Sequence, residues 1–245
     1  MHAYNPARTW ISTMISIIKD ADRYHADHGW LSTRWHFSFS DYYDPENMQW
    51  GPLRVFNDDV VQPGRGFGAH PHRDMEIITY VLEGELEHQD HLGHRGIVHP
   101  GEVQVMSAGK GIMHSEANAS REKPVHFMQL WVLPRTAGLP PRWEQRQFSV
   151  QQRQGRLLPV VSSGSVADTL TIDQDATIYV SRLAAGESVV HTAAEHRRAY
   201  LFVISGEITL NGTPLAHGDQ AKIQDETRLQ IAAKEGAEII LLDLP

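Results

Sequence analysis

The chain carries one short pattern twice, and the pattern belongs to a β-sheet. Tyr80-Val-Leu-Glu-Gly-Glu-Leu-Glu87 runs from an apolar strand through a Gly-Glu turn into a second strand, and Pro100-Gly-Glu102 follows about a strand later. In the second half Phe202-Val-Ile-Ser-Gly-Glu-Ile-Thr209 and then His217-Gly-Asp219 repeat the order. An internal repeat of this kind favours two copies of one unit over a single large barrel. Further runs rich in β-branched and aromatic residues, bounded by Gly, Pro, Asp or Asn, predict strands at Leu53–Phe56, Glu76–Leu82, Val103–Met106, Val125–Val132, Thr177–Leu183, Ala199–Ile204, Glu207–Leu210, Gln220–Ile223, Leu229–Ala232 and Glu238–Leu242. No stretch holds helical periodicity over several turns; Glu195–Tyr200 and parts of 17–26 could form short helices at most. The expectation is an all-β protein of two barrels.

The proline-rich stretch Leu133-Pro-Arg-Thr-Ala-Gly-Leu-Pro-Pro141 cannot continue a sheet, because proline lacks the ladder donor. It places a first barrel at 14–135, a crossover at 136–160 and a second barrel at 161–245. Met14 opens the first apolar run, so residues 1–13 read as an upstream start or leader outside the fold. With 245 residues, either unit can bury a core. A net charge of −8 argues against wrapping nucleic acid or hugging anionic lipid. The absence of cysteine removes disulfides, thiolate metal sites and cysteine nucleophiles, and fits a cytoplasmic protein. No apolar run approaches the roughly 18 residues of a membrane helix, and the N-terminus lacks a signal-peptide h-region. A monomer is expected.

Of fifteen histidines, twelve precede residue 127. Two pairs stand out. Gly66-Phe-Gly-Ala-His70-Pro-His72 sets two imidazoles at i and i+2, and Gly109-Lys-Gly-Ile-Met-His114-Ser-Glu116 sets an imidazole and a carboxylate likewise. On an extended strand such residues share a face, about 6.6 Å apart along the chain, so each pair can chelate one ion. Pro71 disfavours helix at His70. A lone His-x-His in a β protein is more often surface decoration; two pairs beside glycine-rich turns, about one meander apart, are not. Three imidazoles and a carboxylate suit Fe(II), Mn, Co, Ni, Cu(II) or Zn, and an octahedral ion would keep two positions open for chemistry. His88, His91 and His94 cluster at a predicted turn and read as a solvated hairpin tip. His2, His25, His28, His36, His99 and His126 have no partner at ligand spacing and read as structural.

These residues resemble the two metal motifs of the cupin superfamily, with departures that match one branch. Gly64, His70, His72 and Glu76 follow the first motif, but Gly84 falls one position late; Ser107-Ala-Gly109 replaces Pro-x-Gly in the second, and two extra residues precede His114. Gly66-Phe-Gly-Ala-His-Pro-His-Arg-Asp-Met-Glu76 and Met106-Ser-Ala-Gly-Lys-Gly-Ile-Met-His-Ser-Glu116 are similar to the pirin signatures, and the wider sequence resembles bacterial pirin-like proteins described as quercetin 2,3-dioxygenases. The resemblance implies a bicupin of two jelly-roll barrels with one divalent ion on His70, His72, His114 and Glu116. Glu76 is left outside the ligand set. Fe(II) is the first expectation for the ion, with Cu, Co, Ni, Mn or Zn also accommodated.

It further implies oxygenation of a flavonol by dioxygen at the 2,3 position with release of CO, Glu116 serving as ligand and as base for the 3-hydroxyl proton. The alternative is a non-enzymatic iron or redox sensor acting through a protein partner. Nothing here resembles a DNA-reading motif. Phe67, Met106, Met128 and Trp131 are candidates for the pocket wall, subject to strand register. The second half has His191-Thr-Ala193 where the first has His-x-His, and no His-x-Glu follows. Its barrel is expected to hold no metal and to narrow or cover the mouth of the first.

Overall fold

The computed structural model describes residues 14–245, so the expected leader at 1–13 lies outside the described residues. The first half contributes β1 (Met14–Ile18), β2 (Tyr24–Asp27), β3 (Leu31–Trp35), β4 (Leu53–Val61), β5 (Gly66–His72), β6 (Glu76–Glu83), β7 (Leu86–Asp90), β8 (Arg95–Val98), β9 (Glu102–Ser107), β10 (Ile112–Asn118) and β11 (Val125–Val132). Next come β12 (Arg142–Gln147) and the short helix α1 (Val150–Arg153). The second half adds β13 (Leu158–Ser162), β14 (Leu170–Thr171), β15 (Thr177–Leu183), β16 (Ser188–Thr192), β17 (Arg198–Ser205), β18 (Glu207–Leu210), β19 (Thr213–Ala216), β20 (Gln220–Gln224), β21 (Arg228–Ala233) and β22 (Ala237–Leu244).

Each half folds a seven-stranded sheet over a four-stranded one. The first pairs β12-β9-β6-β11-β4-β3-β2 with β5-β10-β7-β8, and the second pairs β1-β20-β17-β22-β15-β13-β14 with β16-β21-β18-β19. Strand for strand the orders correspond, so the repeat in sequence is a repeat in space. The 195–200 segment is a turn entering β17, and only Asp20–Asp22 of the 17–26 segment is helical, as a single 3-10 turn.

One boundary needs correction. The 136–160 crossover contains β12, which pairs with β9 from Arg142↔Ser107 to Gln147↔Glu102. Reciprocally β1 joins the second barrel, from Met14↔Gln224 to Ile18↔Gln220. Each barrel therefore borrows its outermost strand from beyond its own half. Pro140 and Pro141 lie in the loop between β11 and β12 and stand just before Arg142, where a missing N–H costs the next ladder nothing. Gly96 makes the docking of β12 possible: a Cβ there would come within 2.7 Å of the Trp143 ring.

The largest core lies between the barrels. Phe56, Ile78, Tyr80, Met128 and Leu130 from the first meet Ile178, Val180, Tyr200, Phe202 and Ile240 from the second. A second core of Leu201, Ile208, Leu210, Leu229, Ile231 and neighbours fills the C-terminal barrel. A third, with Leu31, Val61, Val81, Leu86, Val125 and Phe127, plugs one end of the N-terminal barrel. The C-terminal barrel thus packs on the outer face of the first barrel's large sheet and does not cover its mouth.

His36 ties the interface together. Its ring stacks on Phe56 at 4.3 Å, Nδ1 lies 2.8 Å from the Tyr200 hydroxyl and Nε2 2.9 Å from Arg23 Nη1. Burial, and then the Arg23 charge, hold its pKa well below the ordinary histidine value. The unfolded chain takes up the proton that the folded chain refuses, so this residue lowers stability as pH falls through about 6.5, by about 1.4 kcal/mol per pH unit. His36→Gln, which keeps a hydrogen-bonding group, should flatten the acid limb of a stability–pH curve from denaturant melts. An unchanged slope would exclude His36 as its source.

Candidate metal centre

The ligand pairs sit on two neighbouring strands. β5 carries His70 and His72, β10 carries His114 and Glu116, and the strands run antiparallel with His114 opposite His70. Glu116 then faces Phe67, so three residues of β5 advance against two of β10. This bulge falls at Gly68 and Ala69, and such an irregularity re-aims the side chains beside it. Gly66 lets the strands close: a Cβ there would lie 2.4 Å from the Glu116 carbonyl oxygen.

The three imidazoles converge. Ring centroids are 4.8 Å apart for His70 and His72, 4.4 Å for His70 and His114, and 4.9 Å for His72 and His114. Their ligand atoms lie within 4.8 Å of one another, and a second set, His88, His114 and Glu116, meets the same limit. Glu116 therefore adjoins the histidine trio through His114. Its carboxylate is buried, accepting from Gln129 Nε2 at 2.7 Å and Gln104 Nε2 at 3.3 Å. Burial and the neighbouring imidazoles pull His72 and His114 down to about 3, so both rings are neutral and keep a lone pair near neutral pH. His70 points Nδ1 at the Gly68 carbonyl, 2.7 Å away, which frees Nε2.

The residues fit a transition-metal ion. The decisive atom is His114 Nε2, which, like His88 Nε2 beyond it, is buried and has no hydrogen-bond partner among the described residues, and which belongs to the converging trio. An unpaired buried nitrogen is costly, and a bound cation would use its lone pair. Three nitrogens with an oxygen beside them suit the divalent first-row metals. Glu76 stands apart: it is buried, accepts from the Ser107 hydroxyl, and burial raises its pKa.

A cavity of about 530 Å³ opens onto His70, His72 and Glu116. Phe67 and Trp131 line it; Trp131 stands edge-on to His72 at 4.8 Å. Met106 and Met128 do not. Met106 is buried with Ile77 and Ile112, and Met128 faces the inter-barrel core. On β11 the inward residues are Phe127, Gln129 and Trp131, so the pocket wall uses Gln129 where Met128 was expected. Trp30, Trp35 and Phe39 supply further aromatic wall, and Asn57 and Asp59 a polar floor. Asn57 Oδ1 is buried without a partner. Burial, reinforced by the charges of Asp58 and Glu116, pushes Asp59 up to about 7.

The hairpin-tip reading of the 88–94 histidines is half corrected. His91 and His94 are at the turn, but His88 is fully buried and its Nδ1 lies 3.5 Å from His114 Nδ1. Leu86, His88 and Asp90 alternate inward along β7. In the second barrel His191, on the strand matching β5, bonds Asp243 at 2.9 Å, and Arg197 holds the same carboxylate. Among the described residues both sets of potential metal ligands lie in the N-terminal barrel.

The model for the pirin family matches residues 18–132, and that for the quercetinase C-terminal cupin domain matches 159–244. The chain belongs to the pirin family. Among its relatives, this pirin is 47% identical over 234 residues to a quercetin 2,3-dioxygenase of Escherichia coli K12, spanning 95% of this chain and 99% of that one. It is 45% identical to a pirin-like protein of Caulobacter vibrioides, spanning 89% and 94%. The crystal structure of the bacterial pirin YhhW from Escherichia coli in complex with nickel(II) superposes with a TM-score of 0.90 at 45% identity, covering 95% of this pirin and 99% of that chain. The two-barrel fold is therefore a bicupin. Among the described residues no helix is long and apolar enough to cross a membrane.

Proposed function

We propose that this pirin is a dioxygenase that opens flavonols such as quercetin at the 2,3 position and releases CO. The observation that carries this reading is the aromatic-walled cavity opening directly onto His70, His72 and Glu116. Its relatives named for that activity support it. In the reaction the flavonol loses its 3-hydroxyl proton, both atoms of dioxygen enter the product, and C3 leaves as CO, so the products are a depside and CO. A divalent ion held by His70, His72, His114 and Glu116 would polarise the 3-oxygen and give dioxygen a place to bind.

The chain's own groups do the rest. Glu116 lies at the pocket edge and accepts the 3-hydroxyl proton; a carboxylate within hydrogen-bond reach is the geometry general-base transfer requires. Gln104 and Gln129 fix its two oxygens. Trp35, Phe39 and Trp131 hold a flat ring system, with Phe39 edge-on to both tryptophans at 5.6 and 5.4 Å. Asn57 and Asp59 offer acceptors to a ring hydroxyl of the substrate. Asn57→Leu should therefore raise KM for quercetin about tenfold, the worth of one neutral hydrogen bond, and leave KM for unsubstituted 3-hydroxyflavone near the wild-type value. Equal effects on both substrates would remove Asn57 from recognition.

Protein loaded separately with Fe(II), Cu(II), Co(II), Ni(II) or Mn(II) should bleach the flavonol absorption band and consume oxygen. If no metal form consumes oxygen with any flavonol, the enzyme reading fails. Capture of a protein partner in one iron redox state only would then favour the sensor.

A further inference from the structure

His88 is absent from the ligand pairs, yet it is buried against the centre and packed on every side. Trp143, the residue that β12 brings across from beyond its half, lies nearly parallel to His88 at 5.5 Å and to His94 at 5.9 Å. The Trp143 indole also donates to Gln104 Oε1 at 2.8 Å. His88 Nδ1 faces His114 Nδ1 at 3.5 Å, and His88 Nε2 lies 3.6 Å from Asp90 Oδ2. The Asp90 side chain is fully buried. It accepts from His94 Nδ1 at 2.8 Å and from the backbone N–H of Leu92 at 2.9 Å and of His94 at 3.0 Å.

Proton bookkeeping leaves one consistent arrangement. A neutral imidazole bears one N–H, and the bond made by one nitrogen decides the role of the other. If His88 carried its hydrogen on Nδ1, its Nε2 lone pair would face the Asp90 carboxylate, two acceptors in contact. With the hydrogen on Nε2, that N–H faces the Asp90 charge across 3.6 Å, too far for a hydrogen bond but of favourable sign. The Nδ1 lone pair accepts from His114 Nδ1–H. His114 then presents a bare Nε2, the buried unpartnered nitrogen already described.

We infer that His88, oriented by Asp90, is a positioning residue of the metal centre, holding His114 in the Nδ1–H tautomer with Nε2 turned to the ion. The inference rests on the metal reading of the site. It makes β7 and the 90–94 turn part of the centre, where the motifs place only β5 and β10. Outer partners of ligating histidines act on affinity by 10–100-fold.

The test is chelator-competition affinity for Ni(II) or Co(II) in wild type, His88→Leu, His88→Gln and Asp90→Asn, with an X-ray absorption count of bound imidazoles. The wild type should show three imidazoles. His88→Leu should keep three and bind about 10–100-fold more weakly, and His88→Gln, which can both accept and donate, should recover most of the loss. Asp90→Asn gives an independent arm should His88→Leu fail to fold. Its amide can donate to His88 Nε2, which reverses both tautomers, so ¹⁵N imidazole spectra of the metal-free protein should show the proton of His114 moved to Nε2.

A purely structural role would lower melting of the metal-free protein and leave affinity and tautomer unchanged. Four imidazoles in the wild type would make His88 a ligand and overturn the inference. So would wild-type affinity in a folded His88→Leu, or an unmoved proton in Asp90→Asn. A wild type that binds no ion would instead bring down the metal reading itself.

Discussion

Glu116→Gln is expected to cut flavonol turnover by about 10²–10⁴-fold, the usual worth of a general base, in protein that still holds metal. The amide is nearly isosteric, so the fold should persist, but it cannot take up the 3-hydroxyl proton. It also changes the local pairing. Gln104 and Gln129 both donate amide hydrogens to the carboxylate. An amide at 116 brings its own NH₂ against one of them unless that neighbour turns over. Single-turnover bleaching, with metal content measured on the same sample, separates lost chemistry from lost metal. Turnover within a few-fold of wild type at equal metal content would remove Glu116 from the base role.

The second large effect is on the ion. His70→Ala combined with His114→Ala removes one ligand from each strand, leaving His72 and Glu116 on strands no longer bridged by a chelate. Stoichiometric metal should be lost by elemental analysis. Stability should report the same loss. A folded protein that binds an ion gains about 2.7 kcal/mol when the free ion stands at 100 times Kd, and the double variant should gain nothing on titration. Cavities left by two imidazoles will lower the baseline of the variant, so the quantity to compare is the metal-induced shift. Retained stoichiometric metal would show that the ligand set is wrong.

Much of the architecture was legible because turn chemistry and strand composition agree. Val125–Val132, Thr177–Leu183 and Glu207–Leu210 coincide with β11, β15 and β18, each a β-branched or aromatic run between Gly, Pro or Asp breaks. β12 was missed because Arg142-Trp-Glu-Gln-Arg-Gln147 has one apolar residue and follows two prolines. It is an edge strand, so no buried face imposes alternation. The exchange of β1 into the far barrel is a pairing over some two hundred residues, which no local pattern encodes.

The histidine pairs were legible because i, i+2 spacing on a strand is geometry. The rest of the pocket depended on register. β11 is buried or half-buried on both faces, with Met128 and Leu130 toward the second barrel and Phe127, Gln129 and Trp131 inward. Hydrophobicity could not choose between them. For His88 a signal was present: Leu86 two residues earlier shares its face, and that face is the core.

The most direct measurement is anomalous diffraction from crystals grown with Ni(II) or Co(II). One peak per chain should appear in the N-terminal barrel, about 2.0–2.2 Å from nitrogens of His70, His72 and His114 and an oxygen of Glu116. A peak ligated by His88 with His114 and Glu116, or one beside His191 in the second barrel, would contradict the account.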